Sequence, residues 1–481
     1  MAVDRLESAS SAKPPEKDVA RTRSNMVKTT FICGAFLLAL LVGQAAFAQT
    51  LLFEGERVIP GDGSPAVDNA ALLVEGGTIA RLARKGDIGL PAGGARVDLT
   101  GKTVMPAIIS THVHPGFQRG LTYLAENFNR QTIMDDLNRA LYFGVSTVMS
   151  LGIETGDVMF QIRADQAQGR LGGARLLLAG RGIGAPNAGP GNSIYSDFTY
   201  EVTTIDQIRR AVQEQAARKV DIIKIWVDDR GGRAPRLPIP LALAAIDEAH
   251  KHGLKIAAHI FYHEDAVALA EAGIDAFAHL VRDKEMSDAL IASMIKHNVY
   301  VMPTLNAPER GAQGSPPAWV DEPYLAGLLS DTVPAEVAVR IRNSFFGRDA
   351  TEVARRQQGY AILQRSLAKL AAAGAGIILG PDTGLEDQIF GYAEQKELGL
   401  MAEAGMTPAQ VIVAATARAA QFVGLADRGT LAPGKRADLL VLDANPLDDI
   451  RNTRRIAKLY LAGAEVDRAA LRASLLRGTR N

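Results

Sequence analysis

Between residues 104 and 380, short apolar runs alternate with stretches of helical periodicity, and successive apolar runs lie roughly thirty residues apart. Apolar runs bounded by turn residues are typical of buried strands in a parallel sheet. The eight runs are 104–110, 145–149, 176–180, 222–227, 255–259, 276–279, 299–305 and 376–380. Helical stretches lie between them, for example residues 205–218, which Thr204 precedes as an N-cap. This α/β pattern predicts a TIM (β/α)8 barrel over residues 106–426, with the active site at the C-terminal ends of its strands.

The two ends of the chain have a different pattern, in which short strands are separated by glycine turns. Within residues 49–105, apolar runs at 51–55 and 70–75 precede tight turns. The same pattern returns within residues 427–481, at 437–443 and 456–461. Such short, turn-bounded runs predict β structure at both ends of the chain.

The first 48 residues have the pattern of a leader segment. Residues 1–25 are polar and predict a disordered extension, and Met26 is an alternative start. Residues 26–48 combine a short basic start, an apolar run and a closing Ala46-Phe47-Ala48, which predicts a signal peptide and a periplasmic or secreted protein without a stable membrane span after cleavage. The alternative is an uncleaved N-terminal helix that anchors the chain, because residues 31–48 reach the short limit of a membrane span.

The overall charge excludes one class of partner. Lysine and arginine together number 53, and aspartate and glutamate also number 53, so the formal net charge is zero. A protein that holds a nucleic-acid backbone needs an excess of basic residues, so no nucleic acid is expected as a partner. The one cysteine, Cys33, cannot form a disulfide within the chain.

Metal-binding residue types occur at the ends of five predicted strands. His112 and His114 are two positions apart just after the first run, and such a pair points to one face of a strand. The other candidates interrupt or follow later runs; they are Lys224, His259, His279 and Asp382. Each one alone is more often a core histidine or a lysine with its stem along an apolar surface. Because the carboxyl ends of parallel strands share one rim, the set together predicts a metal site.

A second histidine pair is a useful contrast. His250 and His252 are also two positions apart, but they fall in a predicted helix. Residues two apart on a helix point in nearly opposite directions and cannot share a metal ion. We therefore interpret this pair as solvated or capping residues.

With these motifs, the chain resembles the amidohydrolase superfamily, in the branch of imidazolonepropionase-like proteins and the metal-dependent dipeptidases called prolidases. The motifs are His112-x-His114, Lys224, His259, His279, Asp382, residues 429–441 (GTLAPGKRADLLV) and residues 445–447 (NPL). The resemblance covers nearly all of the chain after residue 48 and implies that residues 49–105 and 427–481 form one small β-sandwich beside the barrel. The chain departs from the family pattern at Ala107, Ser110 and Pro381, which adjoin the ligand positions and bear on metal affinity.

The resemblance also implies a centre with two divalent metal ions. Lys224 would be carbamylated by carbon dioxide and would bridge them, which suits a lysine whose burial favours the neutral amine. The first ion would be held by His112, His114, the carbamate and Asp382, and the second by the carbamate, His259 and His279. Nitrogen and oxygen ligands without thiolate suit zinc, with manganese or cobalt as substitutes. Asp382 would be the catalytic residue that accepts the proton of the attacking water and passes it to the leaving nitrogen.

Substrate contacts are expected in the loops that follow the strands. Asn187 lies in a glycine-rich loop, Arg282 is placed to pair with a substrate carboxylate, Tyr262 to donate to a carbonyl, and His263 to face the pocket. The long segment 306–374 suggests a lid with an aromatic wall; its aromatic residues include Trp319, Tyr324, Phe345 and Phe346. The alternative is that these aromatics pack the helices of the segment itself.

The predicted function is a secreted, binuclear-metal amidohydrolase that cleaves amide or peptide bonds in a small-molecule substrate, such as a dipeptide or an N-acyl amino acid. One alternative is a mononuclear cyclic-amide hydrolase or deaminase, in which Lys224 would not bridge metals; another is a lactonase of the same superfamily. From a different class, a binding protein with an inactive barrel would require the loss of a ligand, and all six candidates are present. The oligomeric state is open, with a homo-oligomer among the options.

Overall fold

The computed structural model describes residues 50–119, 122–188, 197–229, 231–316, 335–384 and 388–478. The predicted extension (1–25) and signal peptide (26–48) therefore lie outside the described residues. No helix in the described ranges has both the length and the apolar character needed to cross a membrane.

Strands and helices alternate through the middle of the chain, while both ends are rich in strands. The strands are β1 (Leu51–Glu54), β2 (Arg57–Val58), β3 (Ala70–Glu75), β4 (Thr78–Arg84), β5 (Ala95–Asp98), β6 (Thr103–Pro106), β7 (Ile108–Val113), β8 (Gln118–Arg119), β9 (Thr122–Tyr123), β10 (Val145–Ser150), β11 (Arg175–Leu178), β12 (Gly182–Gly184), β13 (Thr199–Glu201), β14 (Ile222–Val227), β15 (Lys255–Ile260), β16 (Ala276–Ala278), β17 (Tyr300–Met302), β18 (Gly376–Ile377), β19 (Leu439–Leu442), β20 (Ile456–Leu461) and β21 (Ala464–Glu465). The helices are α1 (Arg130–Tyr142), α2 (Val158–Ala167), α3 (Ile205–Ala217), α4 (Ile239–Lys251), α5 (His263–Glu271), α6 (Asp288–Lys296), α7 (Asn306–Ala312), α8 (Ala335–Asn343), α9 (Ala350–Ala372), α10 (Tyr392–Glu403), α11 (Pro408–Ala415), α12 (Ala417–Phe422) and α13 (Arg468–Gly478).

The central strands are parallel and form two sheets. Their orders are β11-β10-β7 and β13-β12-β14-β15-β16-β17-β18. Backbone hydrogen bonds outside the strand pairs connect the two sheets, for example from Thr111 N to Leu379 O (2.9 Å) and from Gly182 N to Gly152 O (2.8 Å). The barrel prediction implied one closed ring of strands. Within the described residues the strands instead form two separate sheets, and the ring is not closed by strand pairing.

The first predicted strand is two strands in the structure. The apolar run 104–110 contains two strands, β6 and β7, that separate at Ala107. β6 pairs with β2 and β19 in a sheet of the chain ends, and only β7 joins the central strands. The apolar character of both halves hides this change of sheet, because each half is buried.

The two chain ends meet in two further sheets, with the orders β4-β3-β1-β5 and β2-β6-β19-β20-β21. A single hydrophobic cluster contains Phe53 and Leu72 from the first sheet and Val104, Leu439 and Tyr460 from the second. The ends of the chain, more than 300 residues apart, are therefore joined by strand pairing and by a shared hydrophobic cluster.

Helix α3 shows how local sequence sets an element beside the central strands. Thr204 Oγ1 accepts a hydrogen bond from Gln207 N, and the Gln207 side chain accepts one from Thr204 N, which confirms the predicted cap. Such a capping box satisfies backbone donors that a helix start otherwise leaves unpaired. Ile208 and Val212 then face the core.

A substitution at Gly144 tests how closely the terminal sheets pack against the central strands. It has φ +88°, and a Cβ there would lie 2.8 Å from Leu440 Cδ2. We expect Gly144→Ala to lower the free energy of unfolding by about 2–4 kcal/mol, from a left-handed backbone and overpacking. The control is Gly86→Ala, with φ +95° and open space around its Cβ, which should cost only about 1 kcal/mol. If urea denaturation shows that Gly144→Ala and Gly86→Ala lower the free energy of unfolding equally, the space between residue 144 and Leu440 is not tight.

Candidate metal centre

Five of the six predicted metal-binding residues lie at or after the carboxyl ends of central strands, and the sixth, Lys224, lies inside a strand. His112 lies in β7 and His114 follows it; Lys224 and His259 lie within β14 and β15, His279 directly follows β16, and Asp382 follows β18. Because these strands are parallel, their ends meet at one rim. The side chains are buried except for His259, which is partly exposed.

Asp382 is in contact with both histidines of the first pair. His114 Nε2 lies 2.8 Å and His112 Nε2 lies 3.1 Å from Asp382 Oδ1. His112, His279 and Asp382 each offer a ligand atom, and these three atoms lie within 4.8 Å of one another. One ion can therefore contact residues from three different strand ends.

His259 is oriented by contacts on both of its ring nitrogens. His279 Nε2 lies 2.9 Å from His259 Nδ1, and Asp228 Oδ2 lies 2.9 Å from His259 Nε2. A carboxylate on one ring nitrogen fixes which nitrogen of a histidine can bind a metal. The two histidines of the predicted second metal site thus lie side by side.

Lys224 is a buried amine that forms no ion pair with the part of the chain that the structure describes. Its side chain is about 1% exposed, and Nζ has no hydrogen-bond partner within the described part of the chain. Burial lowers the pKa of Lys224 to about 7, with Asp382 acting in the opposite direction. A large part of the population is therefore the neutral amine near neutral pH.

Glycines make the space that Lys224 needs. A Cβ on Gly152 would lie 2.6 Å from Lys224 Cγ and 3.1 Å from Trp226 Cη2, and a Cβ on Gly182 would lie 2.1 Å from Trp226 Cζ3. The lysine stem and the indole ring consequently fill positions that only glycine leaves open.

The electrostatics of the rim favour the ligand forms of these side chains. Burial lowers the pKa of His259 to about 4 and holds the pKa values of His112 and His279 well below their ordinary value. Burial alone would raise the pKa of Asp382, but His112 and the contact with His114 together lower it. Near neutral pH His112, His259 and His279 are neutral and Asp382 is ionised, which is what metal ligation requires.

These residues fit divalent metal ions. Four nitrogen atoms of these side chains are buried and lack hydrogen-bond partners among the described residues. They are Nδ1 of His112, His114 and His279 and Nζ of Lys224. Unsatisfied buried polar atoms are costly, so a cluster of them at one rim points to a bound group. Imidazole nitrogen and carboxylate oxygen are ligands that zinc accepts.

Two of the candidates occupy strained backbone. His279 has φ +91° and Asp382 has φ +62°, values that non-glycine residues rarely adopt. Such conformations cluster at functional sites, where the surrounding structure holds them. The strain here follows the ends of β16 and β18 and turns both side chains toward the rim.

A cavity of about 820 Å3 opens over the rim. Its wall includes His112, His114, Lys224, His259 and Asp382 among the metal candidates, together with Asp228, Arg282, Trp226 and Phe261. Arg282, predicted to contact substrate, is therefore in this wall. The cavity can hold a molecule of dipeptide size beside the candidate metal ligands.

The other three predicted substrate contacts are not in the described cavity wall. The Tyr262 hydroxyl donates to Asp229 Oδ1 (2.8 Å), and His263 Nε2 lies 2.9 Å from Ser287 Oγ, so both have structural partners. Asn187 N donates to Glu201 Oε1 (2.9 Å), and the loop residues 189–192 lie outside the described residues.

The segment 306–374 contributes helices and charge to the cavity. Helices α7 and α9 line it, with Glu352, Arg355, Arg356 and Tyr360 in the wall. Trp319 and Tyr324 lie outside the described residues, and Phe345 is buried in a separate cluster with Tyr142 and Ile389. Phe345 is therefore not part of the described cavity wall, and its cluster joins Ile341 of its own segment to residues outside that segment. In the described part of the wall the segment contributes the aromatic ring of Tyr360 together with the charged side chains.

Comparisons with known proteins agree with this geometry. The model of the Amidohydrolase family matches residues 103–466. The chain belongs to the amidohydrolase family. It is 24% identical to the imidazolonepropionase of Deinococcus radiodurans over 410 residues, which are 83% of this chain and 92% of that protein. A solved structure of a candidate prolidase from Bifidobacterium longum is 25% identical, with a TM-score of 0.71, and the match covers 90% of this chain and 100% of that one.

A further relative matches over a shorter range. An uncharacterized protein of Mycobacterium tuberculosis is 27% identical over 220 residues, which are 45% of this chain. The match spans only 54% of that relative, about half of its length. The family match and the solved structure together show a TIM-barrel fold with an additional domain for this amidohydrolase.

Two buried carboxylates of this amidohydrolase were missed by the sequence analysis. Asp228 follows β14 directly, at the same end as the other candidates, so its position was a readable signal. Glu394 lies on α10 and accepts a hydrogen bond from Ser110 Oγ (3.1 Å), near the position where Ser110 departs from the family pattern. Ser110 and Glu394 are 284 residues apart, so no local sequence pattern indicates their contact.

A substitution at Gly152 tests whether the position of Lys224 matters for metal binding in this amidohydrolase. We expect Gly152→Ala to displace Lys224 and to reduce the metal bound per chain at least severalfold, because the new Cβ overlaps the lysine stem. Metal is measured by elemental analysis after gel filtration. The control is Gly156→Ala, with φ +60° and no neighbour within 4 Å of its Cβ. Equal metal contents in the two variants would contradict the role of Gly152.

Proposed function

We propose that this protein is a binuclear-metal hydrolase that cleaves amide or peptide bonds in small molecules. The observation that carries the proposal is the convergence of four histidines, Asp382 and the buried amine of Lys224 at one rim. The amine has no hydrogen-bond partner among the residues that the structure describes. Membership of the amidohydrolase family supports it.

The residues of the rim would hold two divalent ions, with zinc the metal that their chemistry suits best. His112, His114 and Asp382 would hold one, His259 and His279 the other, and a carbamate on Lys224 would bridge them. The lowered pKa of Lys224 supports this modification, because the neutral amine is the form that reacts with carbon dioxide. Bound metal ions supply an activated water and polarise the scissile carbonyl.

Asp382 would move the proton. Its carboxylate stays ionised because its pKa is lowered beside His112 and His114, so it can accept the proton of the attacking water. The same group then delivers that proton to the leaving nitrogen. Arg282 would bind a carboxylate of the substrate, since guanidinium groups pair with carboxylates in two-point contacts.

Dipeptides and N-acyl amino acids are the proposed substrate class. The likeness to a candidate prolidase and the cavity of about 820 Å3 support this class. The relationship to an imidazolonepropionase favours a second candidate, a cyclic-amide hydrolase with one metal ion. Screening both classes together with lactones decides between them; hydrolysis confined to lactones would contradict both.

We also propose that the protein is exported by residues 26–48 and that the two terminal sheets form the small sandwich. The shared cluster around Phe53, Val104 and Leu439 supports the second proposal. The first follows from the sequence pattern of the leader alone, and N-terminal sequencing of the protein from its native envelope tests it.

Replacement of Lys224 tests the number of metals. We expect about two ions per chain in the wild type and one or fewer in Lys224→Ala, with activity lost, because the bridging ligand is removed. The control is Lys251→Ala, since Lys251 is an exposed lysine that pairs with Asp247 on α4. One ion per active chain, with Lys224→Ala still active, would favour the one-metal candidate.

Replacement of Asp382 tests the proton transfer. Asp382→Asn keeps the shape of the side chain but cannot carry the proton, so we expect kcat to fall roughly 10²–10⁴-fold. Metal content is measured in parallel to separate loss of ligation from loss of proton transfer. Asp443→Asn, at an exposed ion pair with Lys102, is the control. Unchanged turnover in a metal-loaded Asp382→Asn enzyme would remove Asp382 from the mechanism.

A further inference from the structure

A buried carboxyl group lies where the two central sheets meet. β11 belongs to the first sheet and β12 to the second, so the chain crosses from one sheet to the other at residues 179–181. Glu154 is about 2% exposed, and its two carboxyl oxygens accept hydrogen bonds from Ala179 N (3.1 Å) and Gly180 N (3.0 Å). Backbone donors at an interruption of strand pairing need a partner, and Glu154 supplies it here.

Backbone hydrogen bonds join the same crossing to the segment after β10, on which Glu154 lies. Ala179 N also donates to Ser150 O (3.0 Å), and Gly182 N donates to Gly152 O (2.8 Å). The Glu154 side chain and these backbone bonds together fix the crossing relative to Gly152.

The contact joins the two glycines that shape the space of Lys224 and Trp226. A Cβ on Gly152 would lie 2.8 Å from Lys224 Cβ, and a Cβ on Gly182 would lie 2.4 Å from Trp226 Cη2. Lys224 Nζ lies 5.4 Å from the centre of the indole ring. Neither glycine leaves room for one further atom, so a small shift of either backbone displaces the lysine stem or the indole ring.

The position of the Lys224 amine depends on this packing. Nζ has no hydrogen-bond partner within the described part of the chain, so the walls around the side chain orient it. Glu154 is not among the described residues that line the cavity. Its effect on the amine therefore passes through Gly152, Gly182 and Trp226.

Carbamylation depends on where the amine is held. The neutral nitrogen attacks the carbon of carbon dioxide, and an N–C bond forms. One C–O π pair becomes a lone pair of the new carboxylate, and one proton leaves the nitrogen for solvent. A displaced amine would carry this carboxylate away from the positions of the proposed metal ions, and a misplacement of about 1 Å is costly at a reacting centre.

We propose that Glu154 is the positioning residue that holds the Lys224 amine in place for carbamylation. The proposal rests on the proposed function, in which the carbamate of Lys224 bridges two metal ions. Glu154 secures the place where the two central sheets are not joined by strand pairing, next to the glycines that border Lys224 and Trp226.

A second buried carboxyl group provides a matched control. Glu397 is fully buried, and its two oxygens accept hydrogen bonds from Leu305 N (2.7 Å) and Asn306 N (2.8 Å). These donors lie at the start of α7, away from the crossing at residues 179–181. Loss of either carboxyl group removes partners of two backbone donors, but only Glu154 lies beside the glycines that border Lys224.

The experiment measures the carbamate directly, by NMR of zinc-loaded protein in isotope-labelled bicarbonate. The wild type should show one carbamate per chain, and Lys224→Ala should show none. Glu154→Ala removes both acceptor oxygens and should lower the carbamate and the affinity for the second metal ion about 10-fold. Glu154→Gln, which keeps one acceptor, should lose less, and Glu397→Ala should keep the full carbamate signal.

Urea denaturation of the same variants separates positioning from stability. Both alanine variants should be less stable than the wild type, because each leaves buried backbone donors without a partner. A full carbamate signal in Glu154→Ala would overturn the proposal. Equal losses of carbamate in Glu154→Ala and Glu397→Ala would also overturn it and assign both carboxyl groups to stability alone.

A wild-type protein without any carbamate would contradict the proposed bridging of the metals, and crystal structures of the metal-free variants then decide the role of Glu154. A shift of Lys224 Nζ by more than about 1 Å in Glu154→Ala, but not in Glu397→Ala, would keep Glu154 as the residue that positions the amine. An unmoved amine in Glu154→Ala would remove that role.

Discussion

The burial of the Lys224 amine is the constraint on which the rest of the centre depends. The strand around it reads Ile-Ile-Lys-Ile-Trp-Val, and every residue of it is buried. An isolated ammonium in such surroundings is far more costly than a neutral amine, which explains the lowered pKa. The fold accommodates the side chain with glycine at 152 and 182 and places Trp226 beside it. A strand selected only for stability would carry another isoleucine or valine at position 224.

The turns after β7 and β18 fix the other half of the centre. Asp382 N donates to His112 O (3.1 Å), and His114 N donates to Thr383 O (2.7 Å), so the two segments are joined by backbone hydrogen bonds. These bonds hold Asp382 in its left-handed conformation beside both imidazoles. Glu394 adds a buried carboxylate behind Ser110, and burial raises its pKa. The ligand positions are thus set by the backbone and by distant helices, and not by the histidine motif alone.

The structural features that the sequence predicted correctly are those that depend on a pattern of a few neighbouring residues. The strand at 222–227 matches its predicted bounds, and the Thr204 cap is confirmed, because apolar periodicity and capping chemistry act over a few residues. The division of 104–110 at Ala107 depends on pairing with β19, and the burial of Phe345 depends on packing with Tyr142; neither contact is visible in a single sequence. For the site, the six candidate ligands were readable from their positions at strand ends. Tyr262 was chosen by residue type, whereas its hydroxyl is bound to Asp229.

The contacts of His259 would also determine which ring nitrogens are available to the proposed metal ions. If the Nε2–H of His259 donates to Asp228, its Nδ1 carries the lone pair that accepts from His279 Nε2–H. A ring nitrogen that carries a proton cannot bind a metal ion. His259 would therefore hold a metal ion through Nδ1. His279 would either exchange its proton between its two nitrogens or use Nδ1, which has no hydrogen-bond partner among the described residues. A metal ion on His259 Nδ1 would replace the contact between the two imidazoles, and the contact with Asp228 would then keep His259 in place.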